Sequence, residues 1–523
     1  MGADRVDTLV VGAGTAGCAL AARLSEDPDR CVQLVEAGPD VPSGPGRPEV
    51  LRDSWRMPDG SHEWDVAASA DGERAVHFPV GKLVGGTSLV GGAGAWRPRA
   101  SDFEAWAALG LPEWGWDEVG PWFNAVEADG DFGDRPWHGT EGALPISRFP
   151  VDALLSPMRA LVAAVTDAGH PFCEDLNAPD ATGIGPNPLA VRGRERVSAA
   201  DAYLTAEVRA RPNLTLRANA TVQRLALEGE CAVGAVVDGE LIRARETVLC
   251  AGVPFSPALM LRSGIGPAAE LEAAGVTPVV DLDGVGRGLM DQPAVLLFAV
   301  PRDGARSEER STAPAEEPFL QVAARLRGFP GAAEDHAFYV SLFNGMPVDA
   351  GLQPLIRAER SHWLIVSDLA PSSRGTITLG GPDQRPVCNL RFYDQDSDLQ
   401  RMRSGVLALW ELAKHPALTE EIDRVALVTE RMLADDLRLN GIVRSRTVSR
   451  QPWGGCAMGG VVDAVGRVHG VQALRVADTS IVPVPLRAGG VLTALVIGER
   501  IAAAIREAPS RSPDREEPVH AHY

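Results

Sequence analysis

Three glycines, Gly12, Gly14 and Gly17, follow the β-branched run Val6–Val11 and open an alanine-rich stretch that reads as helix to about Ser25. The order strand, Gly-x-Gly-x-x-Gly, helix suits a pyrophosphate. The first glycine allows a tight turn, the second lets phosphates approach the backbone, and the third lets helix and strand pack closely. The positive end of the helix then faces the negative charge. A second apolar run, Val32–Val35, ends at Glu36, where a carboxylate accepts hydrogen bonds from ribose hydroxyls and repels a 2′-phosphate. A dinucleotide such as NAD or FAD is expected, and NADP is not.

A second glycine-rich loop reads Pro79-Val-Gly81-Lys82-Leu-Val-Gly85-Gly86-Thr87-Ser88. It carries one of only two lysines, Lys82 and Lys414, in a chain with 50 basic residues. Such a loop suits close backbone approach to a flat ring or a phosphate, and taken alone it equally reads as a tight turn.

With this loop, the later stretches Ala251-Gly252-Val-Pro-Phe-Ser256-Pro257, Ser263-Gly264-Ile265-Gly266-Pro267, Gly284-Val-Gly286-Arg-Gly288 with Asp291-Gln292-Pro293, Ser372-Ser-Arg374-Gly375 and Leu474–Ser480 resemble, in order, the glucose–methanol–choline (GMC) family of FAD-dependent oxidoreductases. The resemblance runs from about residue 5 to 507. Its end, Arg475 to Ser480 and Leu486-Arg487-Ala-Gly489, is most similar to the mycofactocin-associated actinobacterial branch. It implies an α/β fold, a Rossmann-type FAD-binding domain joined to a second, sheet-based substrate domain. By position, Gly12, Gly14, Gly17 and Glu36 would hold the ADP half of FAD. Lys82 belongs to the loop in which Gly85, Gly86, Thr87 and Ser88 would run beside the pyrophosphate and flavin. Val222 would offer a backbone contact to adenine, and Asp478 would face the ribityl–phosphate region. Residues 489–493, with Gly489 and Thr493, would close over the pyrimidine edge of the ring. Some family members tie the flavin to a histidine after the second loop. Leu89 and Val90 stand there instead, so FAD is expected to be noncovalent.

The departure from the family pattern concerns the chemistry itself. The family's H-P-x-G-x-C motif opens on a histidine that takes the substrate's hydroxyl proton, and a histidine or asparagine about forty residues on assists it. Here the motif reads Gln451-Pro452-Trp453-Gly454-Gly455-Cys456, and the second position falls at Gly490. A carboxamide can hold a hydroxyl by hydrogen bonding but has no useful basicity. Loss of a general base removes about 10²–10⁴-fold in rate. Among substitutes, His138 and His469 read as structural, while His77, just before the flavin loop, is the nominated base. His62 and Glu63 precede Trp64 in a segment that can cover the active site in this family. Cys456 beside Met458 reads as buried packing, and the tryptophans from 106 to 122 read as core.

The elements that must position these residues are those of a two-domain chain. At 523 residues, 45% hydrophobic and 23% charged, the sequence exceeds one comfortable core. The FAD domain is expected from residues 1–150, 195–300 and 440–508, and the substrate domain from 151–194 and 301–439. Helical spacing marks 398–416, a charged loop 302–318, and a disordered polar tail 509–523. A net charge of −20 disfavours nucleic acid and anionic membranes. No apolar stretch is long enough to span a membrane. Seven scattered cysteines without a C-x-x-C pair read as reduced, buried thiols rather than disulfides or a metal site, so no metal is expected and the location is read as cytoplasmic.

The function implied is oxidation of an alcohol on a small molecule by hydride transfer to flavin N5, as a dehydrogenase whose electron acceptor the sequence leaves unnamed. Gln451 and Gly490 leave two alternatives open. One is a lyase, cyclisation or desaturation on a biosynthetic intermediate. The other is a non-catalytic FAD-bound partner protein.

Overall fold

The computed structural model describes residues 5–302, 317–328, 337–380 and 384–507. The tail 509–523 and most of the charged loop 302–318 lie outside the described residues.

Two sheets carry the molecule. In the first, β1 (Val6–Val11) lies between β2 (Val32–Val35) and the strand Glu240–Leu249, parallel to both. Leu214–Arg217 continues the parallel set beyond β2, and Leu474–Val476 adds a further parallel strand beside Glu240–Leu249. The antiparallel strands Val222–Glu228 and Cys231–Val237 complete it. Leu9 and Val10 are fully buried, as a parallel strand covered on both faces requires. Helix α1 (Thr15–Leu24) packs on the last described helix, Gly490–Glu507. Gly498 permits that contact, since a Cβ there would stand 2.5 Å from Ala16 O. Trp106 and Trp114 are buried in the same core, with Trp116 and Trp122 packed against it.

The second sheet is antiparallel, in the order Ile422–Ala426, Ala294–Pro301, Arg360–Asp368, Ala337–Pro347, Val322–Arg327, Gly183–Pro186. Side chains alternate across it. Val295, Val322, Ala324, Phe338, Val340 and Val366 pack against Met402, Val406 and Leu409 of the helix Asp396–Ala413, which the sequence spacing predicts. The opposite face presents Ala294, Ala323, Tyr339 and Ile365 to Trp96 and Ala488. That seam positions the site.

Ala294–Pro301 and Thr447–Val448 pair with each other inside the second sheet. Alternation marks a strand but not the sheet that receives it. All seven cysteines are free; Cys18, Cys250, Cys388 and Cys456 are buried, Cys173 and Cys231 half-buried, and Cys31 exposed. Among the described residues, no helix is long and apolar enough to cross a membrane.

Candidate FAD site and reaction centre

The three motif glycines are small for different reasons. Gly12 takes φ +101°, and a Cβ on it would meet Cys250 O at 2.5 Å. One on Gly17 would meet Gly12 O at 2.0 Å. Both are demanded by the protein's own packing. A Cβ on Gly14 would find Cys250 O at 3.8 Å, an ordinary contact. Its absence keeps clear the approach to the first turn of α1, which has neither a side-chain cap nor an acidic residue. Unpaired amides at an open helix N-terminus form an anion cradle. This arrangement fits a pyrophosphate.

Glu36 is buried directly after β2. The N–H groups of Ala13 and Gly38 donate to its two carboxyl oxygens at 3.0 and 2.9 Å, tying the end of β2 to the glycine turn. Burial pushes this carboxyl up to about 7, against the pull of those bonds. Asn219 N–H donates to Gly38 O and Ala220 N–H to Glu36 O, which brings the approach to Val222 alongside. Val222 itself opens its strand, paired with Val237.

The second loop locks onto the first. Gly85 N–H donates to Ala13 O at 2.8 Å, and Gly86, at φ +54°, would place a Cβ 2.7 Å from Gly14 Cα. Thr87 is exposed and its hydroxyl accepts from Gly81 N–H, whereas Ser88 is turned inward. Ser88 Oγ donates to Gly85 O at 2.6 Å and accepts from Ala199 N–H at 3.0 Å. The Ser88 hydroxyl therefore holds the loop from behind. Lys82 also acts locally, its Nζ lying 4.3 Å from the centre of the Trp64 ring. Leu89 and Val90 are buried.

Asp478, buried, accepts from Gly252 N–H at 2.8 Å, Ser256 Oγ at 2.5 Å and Ser480 N–H at 2.8 Å. Burial raises its carboxyl. These bonds tie the two family-like stretches together behind the turn, so the carboxylate positions backbone. Gly489 approaches Gly94, and Thr493, in the first turn of the last helix, has a buried hydroxyl with no partner. A buried unpaired hydroxyl at a helix start fits a ligand that would satisfy it.

Gln451 and Gly490 do come together. A Cβ on Gly490 would stand 2.6 Å from Gln451 Nε2 and 3.5 Å from the buried Trp453 ring. Asp291 Oδ1 fixes this stretch by accepting from Arg450 N–H at 3.1 Å and Gln451 N–H at 2.6 Å. The role of Asp291 shows only in the fold, since nothing in local spacing says what a lone aspartate holds.

His77 is 70% exposed in its side chain, with Nε2 2.6 Å from Glu63 Oε2, and that bond raises its pKa. The neighbouring carboxylate favours the imidazolium, whereas a proton acceptor must be neutral. His138 is buried, with Nδ1 on Glu127 and Nε2 on Asp175. Burial opposes its charge, yet bonds to Asp175 and Glu127 raise its pKa to about 8. Both carboxylates favour its imidazolium form. His469 is exposed.

Known proteins share this architecture. Family models described as GMC oxidoreductase match residues 6–294 and 371–498. An uncharacterised GMC-type oxidoreductase of Rhodococcus erythropolis is 34% identical, covering 96% of this chain and 99% of that protein. An oxygen-dependent choline dehydrogenase of Serratia proteamaculans is 32% identical, covering 96% of each. The structure of pyridoxine 4-oxidase from Mesorbium loti superposes with a TM-score of 0.85 at 31% identity, covering 96% of this chain and 99% of that one. The two glycine-rich loops, their mutual contact and these matches together place the chain in the GMC oxidoreductases, a FAD-dependent family.

Proposed function

We propose that the protein oxidises an alcohol on a small molecule, using noncovalently held FAD and no imidazole base. The observation that carries this reading is the locking of the Gly12–Gly17 turn to the Gly85–Gly86 loop beside an open helix N-terminus. Similarity to relatives named for choline and pyridoxine, both alcohols, supports the substrate class. FAD, when bound, supplies the hydride acceptor. Gly14 and the first turn of α1 would hold its pyrophosphate, and Glu36 a ribose. Leu89 and Val90, which offer no nucleophile, support a noncovalent cofactor.

Gln451 orients the substrate hydroxyl through its carboxamide, itself fixed by Asp291 through the backbone. With no basic side chain at 451 or 490, the hydroxyl proton leaves to solvent, so the rate follows hydroxide. Anaerobic mixing of the yellow protein with primary, secondary and sugar alcohols tests the reading. Bleaching of the oxidised flavin band supports it, and a protein that cannot be reconstituted with FAD sinks it.

The juxtaposition of Gln451 with Gly490 favours one second reading, a non-redox step such as a lyase or cyclisation on a biosynthetic intermediate. Turnover of such an intermediate without net flavin reduction would distinguish it. The choice of a carrier over oxygen as electron acceptor belongs to the first reading and is read by comparing aerobic and dye-coupled rates.

A further inference from the structure

Acidic residues outnumber basic ones 70 to 50 in this chain, and the buried Arg47, Arg97 and Arg475 each meet a carboxylate. Among the described residues, the buried Arg99 and Arg325 and the half-buried Arg450, at the seam between the flavin domain and the second sheet, meet none at the side chain. Arg325 is 1% exposed. Its Nη2 donates to Arg97 O at 2.7 Å, its Nε has no partner, and its guanidinium lies 4.9 Å from the centre of the Trp96 ring. Arg99 is 3% exposed, with Nε and Nη2 both unpartnered. Arg450, next to Gln451, lies 4.0 Å from the centre of the Tyr339 ring and donates to Gln292 Oε1 at 2.9 Å.

The three form one wall. Tyr339 pairs with Arg325 across adjacent strands, and its ring lies 5.7 Å from Trp96. Two of the nearby carboxylates are committed elsewhere, while Asp180 reaches Arg99 only through its field. Glu127 holds Arg97, and Asp102 holds the Arg487 side chain while meeting Arg99 at its backbone N–H alone. Burial lowers Arg325 to about 9, and the charge of Arg99 adds to that effect. Burying a guanidinium without an anion is costly, and an anion arriving from outside offsets the cost. Arg450 brings the wall to within one residue of Gln451.

We propose that this wall receives an anionic oxygen group of the substrate, so that the alcohol presented to Gln451 carries a carboxylate or a phosphate. The proposal rests on the alcohol-oxidation reading and narrows it. A site of this charge disfavours a cation such as choline, the substrate named for one of the relatives.

The test uses the FAD-loaded protein and three probes that cannot be oxidised as alcohols: benzoate, phenyl phosphate and neutral benzamide. Binding is read from perturbation of the visible flavin spectrum and, independently, from the melting temperature. At least one anion should bind about tenfold tighter than benzamide, as expected for charge-assisted hydrogen bonds. The stronger of the two names the group. Arg450→Gln and Arg325→Met should each erase about tenfold of that advantage and leave benzamide unchanged. Should Arg325→Met not fold, Arg450→Gln decides. Anions that bind no tighter than benzamide, or an advantage that survives Arg450→Gln, overturn the proposal. Failure of the oxidation reading looks different: hydroxy acids or phosphorylated alcohols would show the arginine-dependent advantage yet leave the flavin oxidised.

Discussion

The carboxamide of Gln451 occupies the volume that any side chain at position 490 would need, with Nε2 2.6 Å from where a Cβ on Gly490 would stand. Gln451 and Gly490 are thus one steric feature. A small residue at 490 makes room for the amide at 451, and Trp453 closes the other side. Gln451→His should raise the anaerobic flavin-reduction rate by about 10²-fold or more, the lower end of a general base's contribution. Stopped-flow absorbance reads it, and an unchanged rate would mean that residue 451 does not face the reacting hydroxyl.

The glycines of the first turn should separate by substitution. Gly17→Ala drives a methyl into Gly12 O and Gly12→Ala into Cys250 O, so both should lower the melting temperature of the apoprotein by several degrees or abolish folding. Gly14→Ala meets no protein atom closer than 3.8 Å and should melt within a few degrees of the parent. Its FAD content, read from the ratio of visible to ultraviolet absorbance, should nevertheless fall about tenfold. Full FAD retention in Gly14→Ala would break the assignment of the cradle.

Glu36 gives the apoprotein a pH dependence of known sign. Its folded carboxyl titrates at about 7, above the unfolded value near 4.5, because burial disfavours the charge. The folded state therefore holds the proton more tightly between those values, and its stabilisation is full below the unfolded value and lost as pH rises through 7. Denaturant melts of the apoprotein from pH 5 to 8 should show this fall. Glu36→Gln should flatten it, and an unaltered slope in that variant would refute the assignment.

His138 contributes a second fall at higher pH. Held by Asp175 and Glu127, it keeps its proton to about 8, above the unfolded 6.5. Its stabilisation is complete below 6.5 and disappears as pH passes 8. His138→Gln should lower stability at pH 6 more than at pH 9 while sparing FAD binding. Equal losses at both pH values would show that the imidazolium charge is not what holds Glu127 and Asp175 together.

Much of the cofactor cradle is legible in the sequence, because its signals are local. The run Val6–Val11, the three glycines and Glu36 lie within 31 residues, and short-range sterics dictate their types. What escapes is what only folding brings together. Ser88 reads as a cofactor contact by position, yet its hydroxyl is spent on Gly85 and Ala199, a segment 111 residues away. The strand Ala294–Pro301 reads as a strand, but its alternation cannot say that it joins Arg360–Asp368. Arg99, Arg325 and Arg450 are unremarkable singly in an arginine-rich chain; their shared lack of a carboxylate is visible only in three dimensions. That Gln451 and Gly490 fit together, with Gly490 making room for the carboxamide, is visible only in the fold.

The most direct measurement is anaerobic flavin reduction by a reactive alcohol and by the same alcohol deuterated at its carbinol carbon, followed from pH 6 to 10. The account predicts slower reduction of the deuterated alcohol and a rate that climbs with pH without levelling near 6.5, because no imidazole takes the proton. A plateau above pH 7 would reveal a basic side chain acting at the reaction centre. Reduction insensitive to deuterium in a single-turnover assay would contradict hydride transfer as the step that sets the rate.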